Sequence, residues 1–176
     1  MSIMSGLLIR KAASSDVEKL VELRLLLEQH GEDSNPSIWR ITEEGKALLK
    51  QKVENALVGV NSQVLVAEMN GEVIGYIHGE VTHRADYLPR SVGAISTIYV
   101  AKKFRGKGVG VRLVEELREF FNSERVEHVT LRYIIGNREA ERFWKRLGFE
   151  PIITTAGMRL NEARVPSDVG GLKSVF

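Results

Sequence analysis

A chain of 176 residues is the size of one domain with one core, and its 43% hydrophobic and 27% charged residues describe a globular protein rather than a disordered one. It has no cysteine and four scattered histidines, which excludes disulfides, thiolate metal sites and a cysteine nucleophile and leaves no paired metal-ligand spacing. A net charge of +2 is too small for a duplex-binding face and no apolar run reaches bilayer length; with no signal-peptide pattern in residues 1–6, the expectation is a cytoplasmic protein without nucleic-acid or membrane partners.

Residues 7–12 are a short apolar segment that predicts a strand. Ser15 and Glu18 then have capping-box spacing before an apolar periodicity that places Val17, Leu20, Val21 and Leu27 on one helical face. The stretch from Gly31 to Pro36 is rich in turn residues and is expected to end that helix, and residues 42–57 predict a second one. Residues 63–69 and 72–82 read as strands joined at Asn70-Gly71, the pair suited to the two positive-φ positions of a tight hairpin. After a polar connection over 83–91, residues 92–100 alternate small and β-branched side chains, as a strand covered on both faces does.

In the second half, Leu113, Val114, Leu117, Phe120 and Phe121 have helical spacing within residues 106–122, and residues 128–135 predict the next strand. Residues 138–147 form a helix with Ala140, Phe143, Trp144 and Leu147 on one face and Gly148 as its C-terminal cap. Residues 149–160 predict a closing strand. Residues 161–176, with Pro166 and Gly170-Gly171 and no periodicity, read as a C-terminal tail or an oligomer contact, so the domain is residues 1–160 and the tail 161–176.

Arg105-Gly106-Lys107-Gly108-Val109-Gly110 lies between a predicted strand and an amphipathic helix, where free N–H groups at a helix start can surround an anion. Glycines without a Cβ let a diphosphate approach the main chain, and Arg105 and Lys107 offer countercharge. The plain alternative is a glycine turn beside a solvated basic run of Lys102, Lys103, Arg105 and Lys107. A dinucleotide fold would carry its glycine loop after the first strand with an acidic residue about 20 positions on, and a nucleoside-triphosphate loop would end in Lys-Ser or Lys-Thr; neither fits.

These residues resemble the GNAT superfamily of N-acetyltransferases, whose motif is Arg or Gln, two residues, Gly, one residue, then Gly or Ala; Arg105, Gly108 and Gly110 match it. The aliphatic stretch Ile98-Tyr99-Val100 before it, and Asn137, Ala140, Phe143-Trp144 and Gly148-Phe149 after it, fit the same pattern, and the element order agrees over residues 7–160. The resemblance implies an α/β (α+β) fold: one GNAT-like domain with a mixed, mostly antiparallel sheet of about six to seven strands, a splayed central pair and about four flanking helices. It implies acetyl-CoA as cosubstrate with no metal, its pantetheine arm beside Ile98, Tyr99 and Val100. The pyrophosphate would lie on Gly106, Lys107, Gly108, Val109, Gly110 and Val111, near Arg105, with Asn137 touching the arm. Asn137 also suits a helix N-cap.

The implied reaction is direct attack, in a ternary complex, of a primary amine of a small molecule or of a peptide or protein on the thioester, with a main-chain N–H among residues 98–100 polarising the carbonyl. The usual proton-transfer residues are missing. Trp144 stands where many relatives have a tyrosine acid, Arg132 stands where ribosomal-protein acetyltransferases have a glutamate base, and Ser96 and Thr97 stand where others have carboxylates. His78 and Glu80, two residues apart on one strand face, are the remaining candidates for a base, against the alternative of ordinary polarity on a half-exposed strand; Tyr133 and Tyr87 follow them. The resemblance puts Glu32, Asp33, Trp39 and the 83–90 loop beside the acceptor. The second functional reading is a non-catalytic acyl-CoA-binding or sensing module, and the tail and closing strand offer pairing surface for a homodimer.

Overall fold

In the computed structural model, which describes residues 6–157, β1 (Leu7–Lys11), β2 (Ser62–Met69), β3 (Glu72–His83), β4 (Ser91–Val100) and β5 (His128–Leu131) form one sheet in chain order. The first three pairings are antiparallel and β4–β5 is parallel. Asn70 at φ 52° and Gly71 at φ 80° close the β2–β3 hairpin.

Alternation along the strands sends side chains to two different cores. Leu65, Ala67, Ile77 and Ile95 face Leu113, Leu117 and Phe121 of α5 (Val109–Ser123) and Trp144 of α6 (Arg138–Arg146). Val64, Val66 and Tyr76 face Leu20 and Leu23 of α1 (Val17–Ser34), with α2 (Pro36–Trp39), α3 (Glu43–Ala47) and α4 (Leu49–Val58) completing that side; Val53, Ala56 and Leu57 of α4 join its core. Helices on both faces explain why β2 to β4 read as nearly continuous apolar runs.

Several elements depart from the sequence-based expectation. The start of α1 is held by Asp16 rather than Ser15: the Asp16 carboxylate accepts from the Ala13 N–H at 2.7 Å and from Arg10 at 2.7 Å, and Ser15 lies in a 3₁₀ turn over Ser14–Asp16. The helix also continues through Gly31 to Ser34. The Arg24–Glu28 pair at 2.6 Å and the Gln29–Asp33 hydrogen bond at 3.0 Å support its later turns, and Pro36 opens α2 instead. The expected helix over 42–57 breaks at Leu48, which is 51% exposed while Leu49 is buried: restarting the helix turns Leu49 inward.

β5 ends at Leu131 instead of reaching residue 135, and Ile135 is exposed before Gly136 turns the chain at φ 91°. Residues 149–157 form no strand, and Ile152 and Ile153 are exposed. A four-residue β5 offers little ladder to a further strand, and Pro151 withholds an N–H. The sheet therefore has five strands among the described residues rather than six to seven; residues 158–160 of the expected closing strand and the 161–176 tail lie outside them.

Candidate functional site

The early end of β5 creates an opening in the sheet. β4 and β5 pair from Val92↔His128 to Ile95↔Leu131 and no further, so residues 96–100 of β4 have no partner on that side among the described residues. The opening begins at a bulge: Thr97 lies opposite His78 and Ile95 opposite Gly79, leaving Ser96 as the extra residue. Ile98 and Val100 pack their side chains towards α5 and α6 and Tyr99 towards α1, while their main chain runs along the free edge.

That edge leads into the glycine segment. A 3₁₀ turn at Lys102–Phe104 is followed by a turn over 105–108 in which Gly106 (φ 72°) and Gly108 (φ 83°) take a conformation costly for other residues. The Arg112 N–H donates to the Gly108 carbonyl at 3.1 Å as the first bond of α5, so the N–H groups of Val109, Gly110 and Val111 have no helical acceptor. No atom lies within 4 Å of where a Cβ on Gly106 would sit. Open space, unpaired donors and the positive end of a helix dipole together fit a diphosphate.

Two residues of the motif also serve the frame around it. A Cβ on Gly110 would meet the Phe143 ring at 3.2 Å, so the missing side chain admits α6 against α5. Arg105 is already engaged: Nε donates to the Val100 carbonyl at 2.9 Å, Nη1 lies 3.4 Å from Glu139, and the guanidinium sits 5.5 Å from the centre of the Tyr99 ring. It fastens the end of β4 to the turn. Lys107 is exposed and is the nearer source of free countercharge.

Asn137 caps α6, its Oδ1 accepting from the Ala140 N–H at 3.0 Å, and its Nδ2 lies 3.3 Å from Nε2 of His30 on α1. Since Leu20 and Leu23 pack on the sheet near Tyr76 and His30 reaches Asn137 beyond β5, α1 crosses above the opening. His30 carried no signal in the sequence, because one histidine late in a helix is usually solvated. Trp144 is buried, with ring centroids 4.8 Å from Phe143 and 5.3 Å from Phe149, and is a core residue. Arg132 is exposed.

His78 and Glu80 come together on the α1 face. Ser62 Oγ donates to the Ala56 carbonyl at 2.7 Å, so toward His78 Nε2, 2.9 Å away, it acts as acceptor; the neutral imidazole then carries its proton on Nε2 and its lone pair on Nδ1. Burial pushes the His78 pKa down, Glu80 opposing and Arg24 adding to the fall. Glu80 Oε1 is 3.5 Å from Nε2, and Oε2 accepts from Ser96 Oγ at 2.8 Å, which ties the bulge to β3. Tyr133 packs on the α5–α6 core, and Tyr87 is exposed beneath Arg84.

On the expected acceptor side, Glu32 pairs with Arg40 at 3.2 Å and Asp33 accepts from Gln29. Trp39 forms a wall of a cleft of about 300 Å³ between α1 and α2–α4. The 83–90 loop closes on itself through Arg84 and Pro89. A larger cleft of about 420 Å³ is lined by Leu57, Ser62, Val64, Phe120, Ser123 and Glu124, where the ends of α4 and α5 meet the start of β2. Among the described residues no group of His, Cys, Asp and Glu is arranged to hold a metal ion, and no helix is long and apolar enough to cross a membrane.

Residues 25–149 match the model of the acetyltransferase (GNAT) family. An uncharacterized N-acetyltransferase of Methanocaldococcus jannaschii is 33% identical over 85 residues, which are 48% of this chain and 38% of that protein. The chain thus spans half or less of the length of the first two curated relatives it matches. In fold it is similar to the BH1408 protein of Bacillus halodurans (TM-score 0.79, 22% identity, 87% of this chain and 99% of that one). It is also similar in fold to the aminoglycoside N-acetyltransferase AAC(6')-Iy in complex with CoA (TM-score 0.68, 18% identity, 87% and 93%).

Proposed function

The chain belongs to the acetyltransferase (GNAT) family, and from that premise we propose that it moves an acetyl group from acetyl-CoA to a primary amine, of a small molecule or of a peptide or protein, by direct attack in a ternary complex. The observation that carries this reading is the continuity of the free β4 edge, residues 96–100, with the glycine turn and the unpaired N–H groups of α5. An extended amide-bearing arm is held by such an edge much as a strand is, and its diphosphate by the helix start. A relative of the same fold is described in complex with CoA.

In this reading the main chain of Ile98, Tyr99 and Val100 binds the arm and polarises the thioester carbonyl. The main chain of Gly106, Lys107, Gly108, Val109, Gly110 and Val111 holds the diphosphate, with Arg105 fixing the frame around it. Asn137 turns its Nδ2 from His30 to the arm. The amine lone pair attacks the carbonyl carbon, a C–N bond forms and the C–S bond breaks. The nitrogen gives up one proton and the departing sulfur gains one, yielding the N-acetyl product and free CoA.

His78 takes the proton from the amine through Nδ1, directly or by way of water. Glu80 keeps the bulge and the imidazole in place. Neither Trp144, which is buried, nor Arg132, which stays charged, supplies an acid or base. Positioning then accounts for much of the rate.

Release of free CoA from acetyl-CoA, followed across a panel of small amines and peptides, tests the transfer. Tight acetyl-CoA binding with no turnover of any amine would favour the acyl-CoA-sensing alternative. The cradle is tested by calorimetry on two variants at one position. Gly108→Asn keeps a residue that tolerates the left-handed conformation, whereas Gly108→Glu adds a carboxylate facing the diphosphate. Acetyl-CoA affinity is expected to fall more than tenfold further in the second than in the first, and equal affinities would place the diphosphate elsewhere.

A further inference from the structure

The cleft between α1 and α2–α4 is lined by three cations, Arg24, Arg40 and Lys52, against one carboxylate, Glu28. Arg40 is offset from outside by Glu32 at 3.2 Å. Glu28 takes only Nε of Arg24, at 2.6 Å, which leaves the two terminal nitrogens of that guanidinium for another acceptor. Ile38 and Trp39, 64% and 49% exposed, provide an apolar wall.

Arg24 leads from this cleft towards the sheet, where it lies beside Tyr76 of β3. Tyr76 lies opposite Tyr99 on the neighbouring strand, within the unpaired stretch, and only 5% of its surface is exposed. Its hydroxyl is buried with no partner in good hydrogen-bond geometry. Burial pushes its pKa up and keeps it protonated, while Arg24 and Thr97 beside it oppose that shift. A buried phenol without an acceptor and a half-satisfied guanidinium beside it form a site with donors to spare, and an unmet buried hydroxyl is costly. Such a site fits an oxyanion.

We propose that the acceptor amine carries a carboxylate, which the free guanidinium nitrogens of Arg24 receive at the floor of the α1–α4 cleft, with the Tyr76 hydroxyl directly behind them as a second donor, while Ile38 and Trp39 cover an apolar side chain. The natural acceptor class is therefore an amino acid, or a close analogue with an amine and a carboxylate on one small apolar frame. A polycationic acceptor is disfavoured, because the lining would repel it. This specificity rests on the acetyl-transfer reading above.

The test compares phenylalanine, phenylalaninamide, phenethylamine and the polycation kanamycin as acceptors in free-CoA release. Phenylalanine is expected to have the highest kcat/KM, by tenfold or more over phenylalaninamide, although the amide has the more easily deprotonated amine. In Tyr76→Phe and in Arg24→Gln the ratio of kcat/KM for phenylalanine to that for phenethylamine is expected to drop about tenfold, mostly through KM, the loss of one charge-assisted hydrogen bond. Equal falls for both acceptors would mark a merely structural role and overturn the proposal. Turnover of phenethylamine or kanamycin at least as good as that of phenylalanine overturns the carboxylate site while leaving acetyl transfer intact. If none of the four turns over, calorimetry of phenylalanine against phenylalaninamide on the CoA-loaded protein still decides the site: preference for phenylalanine supports it, and equal or absent binding overturns it.

Discussion

His78 owes its neutral form to burial more than to any neighbour, and the Ser62 hydroxyl, already donating to Ala56, fixes which ring nitrogen carries the proton. A folded pKa below the ordinary 6.5 means the ring stays able to accept a proton through neutral pH and loses that ability as pH falls through the lowered value. The kcat/KM profile is accordingly expected to have an acid limb lying below pH 6.5, and His78→Gln to lower kcat about 100-fold and remove that limb. Asp16 has the same direction of shift with a different consequence. Its hydrogen bond from Arg10 holds the carboxyl below its usual value, opposing burial, so its stabilisation is present above the unfolded value of 3.8 and lost as pH falls through the lowered one. Asp16→Asn is expected to cost about 2 kcal/mol at pH 7 by urea denaturation, a gap that closes in acid. At this scale the glycine turn around Gly108 was legible in the sequence because its pattern is local, whereas the engagement of Arg105 with Val100 and Glu139 was not. His30 and Tyr76 were not, because each gains its meaning from a residue far along the chain, Asn137 for one and Arg24 for the other.

The hairpin at Asn70-Gly71 and the amphipathic run of α5 follow from short-range chemistry, and the structure forms both over nearly the residues the periodicity marks. Elements whose limits depend on neighbours behaved differently. β5 stops when its partner strand turns at the bulge, a fact invisible in His128–Leu131 itself, and the break at Leu48 depends on which of two adjacent leucines the core accepts. The packing of α5 on the sheet is tight enough to test. A Cβ on Gly79 would lie 2.8 Å from Leu117 and 2.9 Å from Phe121. Gly79→Ala is expected to lower stability by about 1–3 kcal/mol with an unchanged denaturant slope, and Phe121→Leu in the same chain to recover part of that loss.

Taken as a whole, the molecule is one sheet with α1–α4 on one face and α5–α6 on the other, and the opening between β4 and β5 is where the two layers come closest to sharing a surface. By linkage, a ligand that binds across that opening in the folded state alone would raise the stability of the entire fold. Acetyl-CoA at about 100 times its Kd is expected to add about 2.7 kcal/mol and so raise the Tm by about 5–10 °C, and Gly108→Glu to abolish most of the rise in a thermal melt. The β2–β3 pairing and the burial of β4 on both faces were readable from the hairpin turn and the apolar runs, whereas the width of the opening depended on a register that only the folded sheet defines. Phe143 is seated against Gly110 and joins α6 to α5. The glycine turn and Asn137 therefore share one support, while the proposed amine cleft belongs to the opposing helices and is tied to that support through His30 and Asn137. Turnover should then keep a compulsory sequence, with the nucleotide first to arrive and last to leave, and the amine is expected to show calorimetric heat only after CoA has been added.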